Sequence, residues 1–169
     1  MSGFEIREAT AADIPHMKEL IFEHGPSPWN FLPEAEVAAH LDLIATGDVG
    51  GVLAFDGDRL VGAVTFTLDN PFLSYEPAGA LPGESGYIAE GVVARESAGQ
   101  GLGTRILVEA CARLAARGVR RIYAKRHEEN RASAGIMRKA GFLEIATFDD
   151  FTRRPHGSRR TTVGRLVLN

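Results

Sequence analysis

Apolar and polar residues follow two different periods along this chain, and the changes of period predict its secondary structure. Alternation around Phe4 and Ile6 predicts a short first strand, and apolar residues at helical spacing, as from Leu102 to Leu114, predict helices. The predicted elements are a strand over 4–8, helices over 11–24 and 33–46, strands over 52–55, 60–68 and 87–94, a helix over 102–117, a strand over 120–125, a helix over 130–139, and strands over 143–152 and 161–168. The order βααβββαβαββ is typical of a single α/β domain, here over residues 1–169.

Three segments between these elements are rich in turn-forming residues. Glycine and prolines at 25–28 end the first helix and lead to Trp29 and Phe31, which either line a pocket or cover the core. Residues 70–85, with three prolines, predict a long surface loop of the kind that often belongs to a binding site. Residues 153–160 carry four arginines and predict a solvated hairpin loop; the alternative is that they steer an anionic substrate.

Composition and charge exclude several classes of protein. The net charge of −3 argues against nucleic acid as the main partner, and no apolar run is long enough to span a membrane. A single cysteine, Cys111, lies among apolar helix positions, which favours a core role, and the start of the chain resembles no secretion signal. The five histidines have no metal-ligand spacing, so we expect no metal site. These features predict a cytoplasmic protein, and a homodimer is compatible with them.

The most informative stretch is a glycine-rich turn between a strand and a long helix. Gly99, Gly101 and Gly103 alternate with other residues directly before the helix, where unpaired N–H groups can bind an anion. The alternative is a tight strand-to-helix connection without a ligand. A P-loop is excluded because Thr104 and Arg105 follow the last glycine in place of lysine and a hydroxyl residue. A Rossmann fingerprint also fits poorly, since its third glycine is missing.

A second signature runs from Asn130 to Phe142 and completes a resemblance to a known family. The segments Val92–Thr104 and Asn130–Phe142 resemble, in order, the V-x-P-x-x-(Q/R)-x-x-G-x-G/A and N-x-x-(A/S)-x-x-x-Y-x-K-x-G-F segments of the GNAT superfamily of CoA-dependent N-acyltransferases. The predicted order of elements is similar too. The resemblance implies an α/β fold with a mixed, mostly antiparallel sheet, flanked by helices and split by a central pair of splayed parallel strands.

The resemblance also implies a co-substrate and the residues that hold it. Acetyl-CoA would bind with its pyrophosphate on the glycine turn, its pantetheine arm along the strand at Val92 and Val93, and Asn130 on the far side. The acceptor would be the amine of a small molecule, an amino acid or a peptide N-terminus. The expected CoA-binding residues are Val92, Val93, Ala98, Gly99, Gln100, Gly101, Leu102, Gly103, Thr104 and Asn130.

Transfer of an acetyl group to an amine requires a base, an oxyanion donor and a route for the leaving thiolate. Glu90 is the only carboxylate inside the 87–94 strand and is our candidate base; Tyr87 and Glu84 are the alternatives. A strand N–H near Val93 would bind the oxyanion. Ser133, one helical turn before Met137, is the candidate that serves the thiolate, although it could equally cap or pack in the helix.

Three departures from the family pattern leave a second function open. Ala98 stands where the family usually has Gln or Arg, and Arg95 where it often has Pro. Met137 stands where many members have a tyrosine proposed to protonate the thiolate, and a thioether has no proton to give. The alternative is therefore a CoA-binding or regulatory domain of the same fold that has lost turnover.

Overall fold

The computed structural model describes residues 3–169, and its elements follow the predicted order. They are β1 (Phe4–Glu8), α1 (Ile14–His24), α2 (Glu34–Asp42), β2 (Val49–Asp56), β3 (Arg59–Thr67), β4 (Ser85–Val93), α3 (Leu102–Ala116), β5 (Arg121–His127), α4 (Arg131–Lys139), β6 (Leu143–Asp149) and β7 (Arg160–Val167). No helix within residues 3–169 is both long and apolar enough to cross a membrane.

The strands form one mixed sheet in the order β1-β2-β3-β4-β5-β7-β6. Every neighbouring pair is antiparallel except β4 and β5, which are parallel. These two strands pair only at Ser85–Tyr87 and Arg121–Tyr123, after which they diverge. The expected α/β fold with a central splayed parallel pair is therefore confirmed.

Helices cover both faces of this sheet. A Cβ added at Gly62 would lie 3.1 Å from Ile106 of α3, so the side chains in register with Gly62 face α3. One added at Gly51 would lie 3.4 Å from Met17 of α1, so the alternate positions face α1 and α2. The apolar stripe of α3 is buried along its length and includes Cys111, whose thiol pKa is raised to about 12 by burial. That inert environment agrees with a core role for this cysteine.

Element boundaries depart from the sequence prediction where they are decided by packing between elements and not by the local pattern of apolar side chains. The strand predicted over 52–55 begins at Val49, because Gly50 and Gly51 belong to it without adding an apolar side chain. A Cβ at Gly50 would lie 2.4 Å from the Phe66 ring, so this strand position requires glycine. The helix predicted over 33–46 ends at Asp42 in a series of turns, and the strand predicted to reach residue 152 ends at Asp149.

The loop predicted over 70–85 packs onto the sheet instead of lying loosely on the surface. Phe72 is buried against Tyr87 and Tyr123, with ring centroids 5.9 and 6.5 Å away. Asn70 is also buried; its amide donates to Ser85 Oγ and its carbonyl oxygen accepts from Phe72 N–H. The loop thus closes an aromatic layer beneath the point where β4 and β5 separate.

Candidate active site

The divergence of β4 from β5 opens a cleft of about 990 Å³. Its lining comes from both strands, the first turn of α3, α4, the ends of α1 and α2, and the segment after α1. Of the residues that the sequence predicts for binding and catalysis, Gln100 is exposed and does not line the cleft. The others do, namely Glu90, Val92, Val93, Ala98, Gly99, Gly101, Leu102, Gly103, Thr104, Asn130 and Ser133.

The glycine turn at one end of the cleft requires glycine for two separate reasons. Gly99 and Gly101 have φ of +80° and +76°, which L side chains rarely adopt, and a Cβ at either would meet nothing within 4 Å. A Cβ at Gly103 would lie 2.7 Å from Ile136, so glycine there lets α3 approach α4. Gly101 is the N-cap of α3, and the first N–H groups of that helix have no intrahelical acceptor. The turn therefore presents backbone donors to open space.

The edge of β4 that faces the cleft also carries free backbone groups. Ala94 N–H donates to Val61 O at 2.7 Å on the β3 side. Because successive residues of a strand direct their N–H groups to opposite edges, the N–H of Val93 points towards the splay. Gly91, two residues earlier, has the same orientation, and β5 pairs with neither residue. An extended ligand could hydrogen-bond to β4 here as an additional strand.

A β-bulge in β4 directs the side chain of Glu90. The register with β3 shifts so that Ala89 and Glu90 together oppose Thr65. The N–H of Glu90 donates to Thr65 Oγ1 at 3.0 Å, and the same oxygen lies 2.9 Å from Nε2 of His40. Thr65 is fully buried, so its hydroxyl proton needs an acceptor, and a neutral His40 with its proton on Nδ1 would provide one at Nε2. Burial lowers the pKa of His40, which favours the neutral ring that this bond requires.

The environment of Glu90 favours its protonated form at acidic pH and its carboxylate above neutrality. Burial raises its pKa to about 7 despite the opposing effect of Lys125. Glu36 raises this pKa further, while Arg153 and Arg154 lower it. A carboxyl that titrates near neutral pH at the wall of a cleft is suited to general-base chemistry.

The alternative bases are less suitable than Glu90. Burial raises the pKa of Tyr87 well above its usual range, and its ring packs against Phe72. Glu84 lies outside the cleft, where Arg121 donates to it at 2.9 Å and Leu81 N–H donates to it at 3.1 Å. These bonds lower the pKa of Glu84. Of Glu90, Tyr87 and Glu84, only Glu90 both lines the cleft and has a pKa suitable for a base near neutral pH.

The opposite wall is formed by the first turns of α4. Asn130 is the N-cap of this helix, and its Oδ1 accepts from Ser133 N–H at 3.1 Å. Asn130 thus has a structural role besides the predicted CoA contact, which its amide N–H groups would make. Ser133 Oγ lies 3.9 Å from the sulfur of Met137 and its hydroxyl takes no part in the cap. The hydroxyl lines the cleft and remains available for a stronger acceptor.

The arginine-rich hairpin loop reaches the other end of the cleft. Residues 155–160 are exposed, as predicted for a solvated loop, whereas Arg153 and Arg154 line the cleft. Arg154 is buried; its Nε donates to Thr161 Oγ1 at 2.9 Å and its Nη1 to Trp29 O at 3.0 Å. Arg153 lies over the Phe31 ring at 5.4 Å. Trp29 and Phe31 both line the cleft, which supports the pocket interpretation of these two aromatic residues.

A buried histidine fixes where this hairpin loop sits. His127, at the end of β5, is fully buried; its Nε2 donates to His156 O at 2.7 Å and its Nδ1 accepts from Glu129 N–H at 2.9 Å. The Trp29 ring lies 4.6 Å from its ring centroid. Both ring nitrogens are used, so this histidine is structural. Across residues 3–169, no three His, Cys, Asp or Glu side chains are grouped as metal ligands would be.

Three residues in or next to the cleft were not singled out by sequence reasoning. Thr65 and His40 hold the bulge, and their pairing depends on a strand–helix contact that local patterns do not encode. Lys125 lines the cleft on β5, where its partial burial lowers its pKa. A signal for Lys125 did exist, since it is a charged residue inside an otherwise largely buried strand.

Comparison with known proteins identifies the family of this fold and cleft. A family model described as the acetyltransferase (GNAT) family matches residues 14–142. The chain therefore belongs to the GNAT acetyltransferase family, and acyl transfer is the activity that the family supports. No curated protein is similar enough to match the chain.

Solved structures with a similar fold extend over almost the whole chain. Ribosomal-protein-alanine N-acetyltransferase from Brucella melitensis is 22% identical, with a TM-score of 0.74 over 97% of this chain and 99% of that one. The Salmonella typhimurium protein yncA, solved with its cofactor acetyl-CoA, is 18% identical, with a TM-score of 0.76 over 99% and 95%. A GNAT-family acetyltransferase from Streptococcus pneumoniae is 19% identical, with a TM-score of 0.72 over 98% and 99%. At these identities the similarity concerns the fold.

Proposed function

We propose that this protein is an N-acetyltransferase that moves the acetyl group of acetyl-CoA to a primary amine by direct attack on the thioester. The observation that carries the proposal is Glu90, a carboxyl with a pKa of about 7 that a bulge directs into the cleft. It lies three residues before Val93, whose N–H points into the same cleft. A base and an oxyanion donor are the two groups that acetyl transfer to an amine most needs.

The end of the cleft at α3 fits the pyrophosphate of CoA. The positive-φ glycines leave space that a Cβ would occupy, and the helix N-terminus supplies N–H donors with a favourable dipole. The first turn of α3 has no acidic residue, although acids are favoured there in helices without an anionic ligand. The exposed edge of β4 at Gly91 and Val93 would hydrogen-bond to the pantetheine amides. Acetyl-CoA supplies the activated acetyl group as a thioester.

Glu90 would accept the proton of the attacking amine. An alkyl ammonium has a pKa near 10 and no lone pair, so it must lose a proton before it can react. A carboxylate whose pKa is about 7 is mostly ionised at pH 8 and is a stronger base than an ordinary glutamate. The proton can pass to it directly or through one water. We therefore assign general-base catalysis to Glu90.

The remaining groups would stabilise charge as the thioester is broken. The N–H of Val93 would donate to the thioester oxygen as negative charge develops there. Ser133, whose hydroxyl meets only the weak sulfur acceptor of Met137, would donate to the departing thiolate. Because a thiolate is a tolerable leaving group in water, this donation is an aid to turnover and not a requirement.

The acceptor would enter from the end lined by Trp29 and Phe31. A small-molecule amine, an amino acid or a peptide N-terminus can each present a primary amine there. The relative from Brucella melitensis is named as a ribosomal-protein-alanine N-acetyltransferase, which supports an amine as the acceptor class. We further propose that the protein works in the cytoplasm, which its single, buried, unpaired thiol favours.

The test is to incubate the protein with acetyl-CoA and a panel of amines, amino acids and short peptides. Release of free thiol, with an acetylated product identified by mass spectrometry, is the expected result for at least one acceptor. Binding of acetyl-CoA by calorimetry without transfer to any acceptor would contradict the proposal. That outcome would instead support the non-catalytic CoA-binding domain that Ala98 and Met137 leave open.

A further inference from the structure

The cleft contains a lysine whose ammonium makes no direct hydrogen bond or ion pair with the described residues. Lys125 lies on β5 two residues after Tyr123, so both side chains project from the same face of the sheet. Tyr123 pairs in register with Tyr87, and its face is the one covered by α1 and α2. Lys125 is partly buried and lines the cleft, yet it makes no hydrogen bond or ion pair within residues 3–169.

The neighbouring arginines are engaged by the protein itself. Arg126 donates to two backbone carbonyl oxygens, at His127 and Glu128, and to the Glu144 carboxylate. Arg154 is held by Thr161 Oγ1 and Trp29 O. Arg153 lies at the mouth of the cleft, where it contacts the Phe31 ring and forms a long ion pair, 3.6 Å from Glu36. Lys125 and Arg153 therefore have donor capacity that the fold does not use.

An unpaired cation in this position is unfavourable in the free protein. Burial lowers the pKa of Lys125, and the charges of Arg153 and Arg154 lower it further. Two carboxyl groups oppose this effect and raise the pKa of Lys125. One is Glu90, which is itself half protonated near neutral pH, and the other is Asp150, which already accepts a hydrogen bond from Thr161. A ligand with a negative charge would offset the excess positive charge around Lys125.

The anion would lie beside the amine and away from the CoA phosphates. Lys125 is on the face of α1 and α2, whereas the glycine turn that fits the pyrophosphate belongs to α3. Lys125 and Glu90 line the same cleft from the two diverging strands, β5 and β4, and the charge of each affects the pKa of the other. A molecule that presents an amine to Glu90 can therefore present an anionic group to Lys125.

We propose that the acceptor is an amino acid with a free carboxylate next to its amine, bound by Lys125 from within the cleft and by Arg153 at its mouth. The inference rests on the proposed N-acetyltransferase function and narrows its acceptor. A free amino acid has the required geometry, with an ammonium and a carboxylate on the same carbon. A peptide N-terminus has a neutral amide at the position of that carboxylate and would leave Lys125 unpaired.

The test compares each L-amino acid of a panel with its own carboxamide, using saturating acetyl-CoA. The two acceptors share a side chain and a primary amine. The carboxamide lacks the anionic group and therefore has a less basic amine, so kcat/KM is compared over a range of pH. We expect kcat/KM of the wild-type protein to favour the free acid of the best acceptor by at least 10-fold. At a pH high enough for Glu90 to be ionised in both proteins, Lys125→Met should lower kcat/KM for the acid by roughly 10- to 100-fold more than for the carboxamide, mainly through KM.

Lys18→Met is the matched control, because it removes one positive charge at an exposed ion pair with Asp42 that lies outside the cleft. It should leave both acceptors within 2-fold of wild type. Equal use of acid and carboxamide by the wild-type protein would overturn the proposal while leaving N-acetyl transfer intact. An equal loss for both acceptors in Lys125→Met would also overturn it.

A binding measurement separates this proposal from the proposed function. In the presence of CoA, N-acetyl-L-amino acids should raise the melting temperature, whereas the matching N-acetyl carboxamides should not. Lys125→Met should abolish the difference. If the products stabilise the protein in this way but no amine is acetylated, the carboxylate site stands and the catalytic proposal fails. If acids and carboxamides stabilise equally, the carboxylate site is contradicted.

Discussion

Substituting Thr104 by aspartate separates the stability of α3 from the proposed binding of the CoA pyrophosphate at its N-terminus. Thr104 occupies the third position of α3, lines the cleft and belongs to a first turn without acidic residues. A carboxylate there interacts favourably with the helix dipole, by about 0.3–1 kcal/mol. The same carboxylate would lie close to a diphosphate bound at the turn. Thr104→Asp should therefore stabilise the free protein and weaken its complex with acetyl-CoA.

The size of this effect follows from Coulomb's law. Two unit charges roughly 7 Å apart, in an effective dielectric of about 40, repel each other by about 1.2 kcal/mol. A diphosphate carries two such charges, so the complex loses about 2.4 kcal/mol, or roughly 50-fold in Kd. Added salt should reduce the loss, since the site is partly open to solvent.

Calorimetric titration with acetyl-CoA and thermal unfolding of the free protein measure both consequences. Thr104→Asn is the matched control, because it has nearly the same size as aspartate and no charge. We expect its Kd to stay within about 3-fold of wild type. If Thr104→Asp binds acetyl-CoA as tightly as Thr104→Asn does, the pyrophosphate does not lie at the α3 N-terminus.

Four further variants, at Thr65, Ser133 and Glu90, test the proposed catalytic site. Thr65→Val removes the acceptor for Glu90 N–H and should lower kcat about 10-fold at unchanged Kd for acetyl-CoA. Thr65→Ser keeps the hydroxyl and should have nearly the wild-type kcat. An equal loss of kcat in both variants would contradict a role for the hydroxyl. Ser133→Ala should lower kcat about 10-fold, or 1.4 kcal/mol, at saturating acceptor, and an unchanged kcat would remove Ser133 from the mechanism. Glu90→Gln should unfold at a higher temperature than wild type at pH 8 but not at pH 4. The fold raises the pKa of the wild-type carboxyl from 4.5 to about 7, so ionisation of this group destabilises the folded protein as pH rises through that interval.

Much of the fold is predicted by local patterns of apolar, polar and glycine residues in the sequence. Helical periodicity from Leu102 onward predicts α3, and the glycines before it predict the anion-binding turn. The boundaries that differ are those where packing decides, as at Gly50, which belongs to β2 because Phe66 occupies the space of its side chain. Such contacts join residues far apart in sequence, so the local periodicity of apolar residues cannot predict them.

The residues at the end of the cleft that we propose binds CoA were predictable from the sequence, whereas those at the proposed acceptor end were not. Motif residues at the glycine turn and at Asn130 lie on contiguous segments, so their spacing in sequence reflects their spacing in the fold. The acceptor end is assembled from β3, α2, β5 and the hairpin loop, and its polar groups meet only through tertiary structure. Arg154 illustrates this, because a loop with four arginines predicts solvent exposure, yet this side chain is buried under Trp29.

The central claim is that Glu90 is the base for transfer of the acetyl group to an amine. Glu90 acts as a base only when ionised, so its pKa of about 7 sets the lower limit of activity. At pH values below that limit, kcat/KM of the wild-type protein should rise about 10-fold per pH unit. Above it, the rate should reach a plateau that extends towards the pKa of the acceptor amine.

The most direct measurement is the pH dependence of kcat/KM for the acceptor, at saturating acetyl-CoA, in wild type and Glu90→Gln. The account predicts a break near pH 7 in the wild-type profile. In Glu90→Gln the break should be absent, with a lower rate that rises with pH until the free amine itself predominates. A break near pH 7 that persists in Glu90→Gln, or equal rates in the two proteins at pH 7.5, would contradict the assignment of Glu90 as the base.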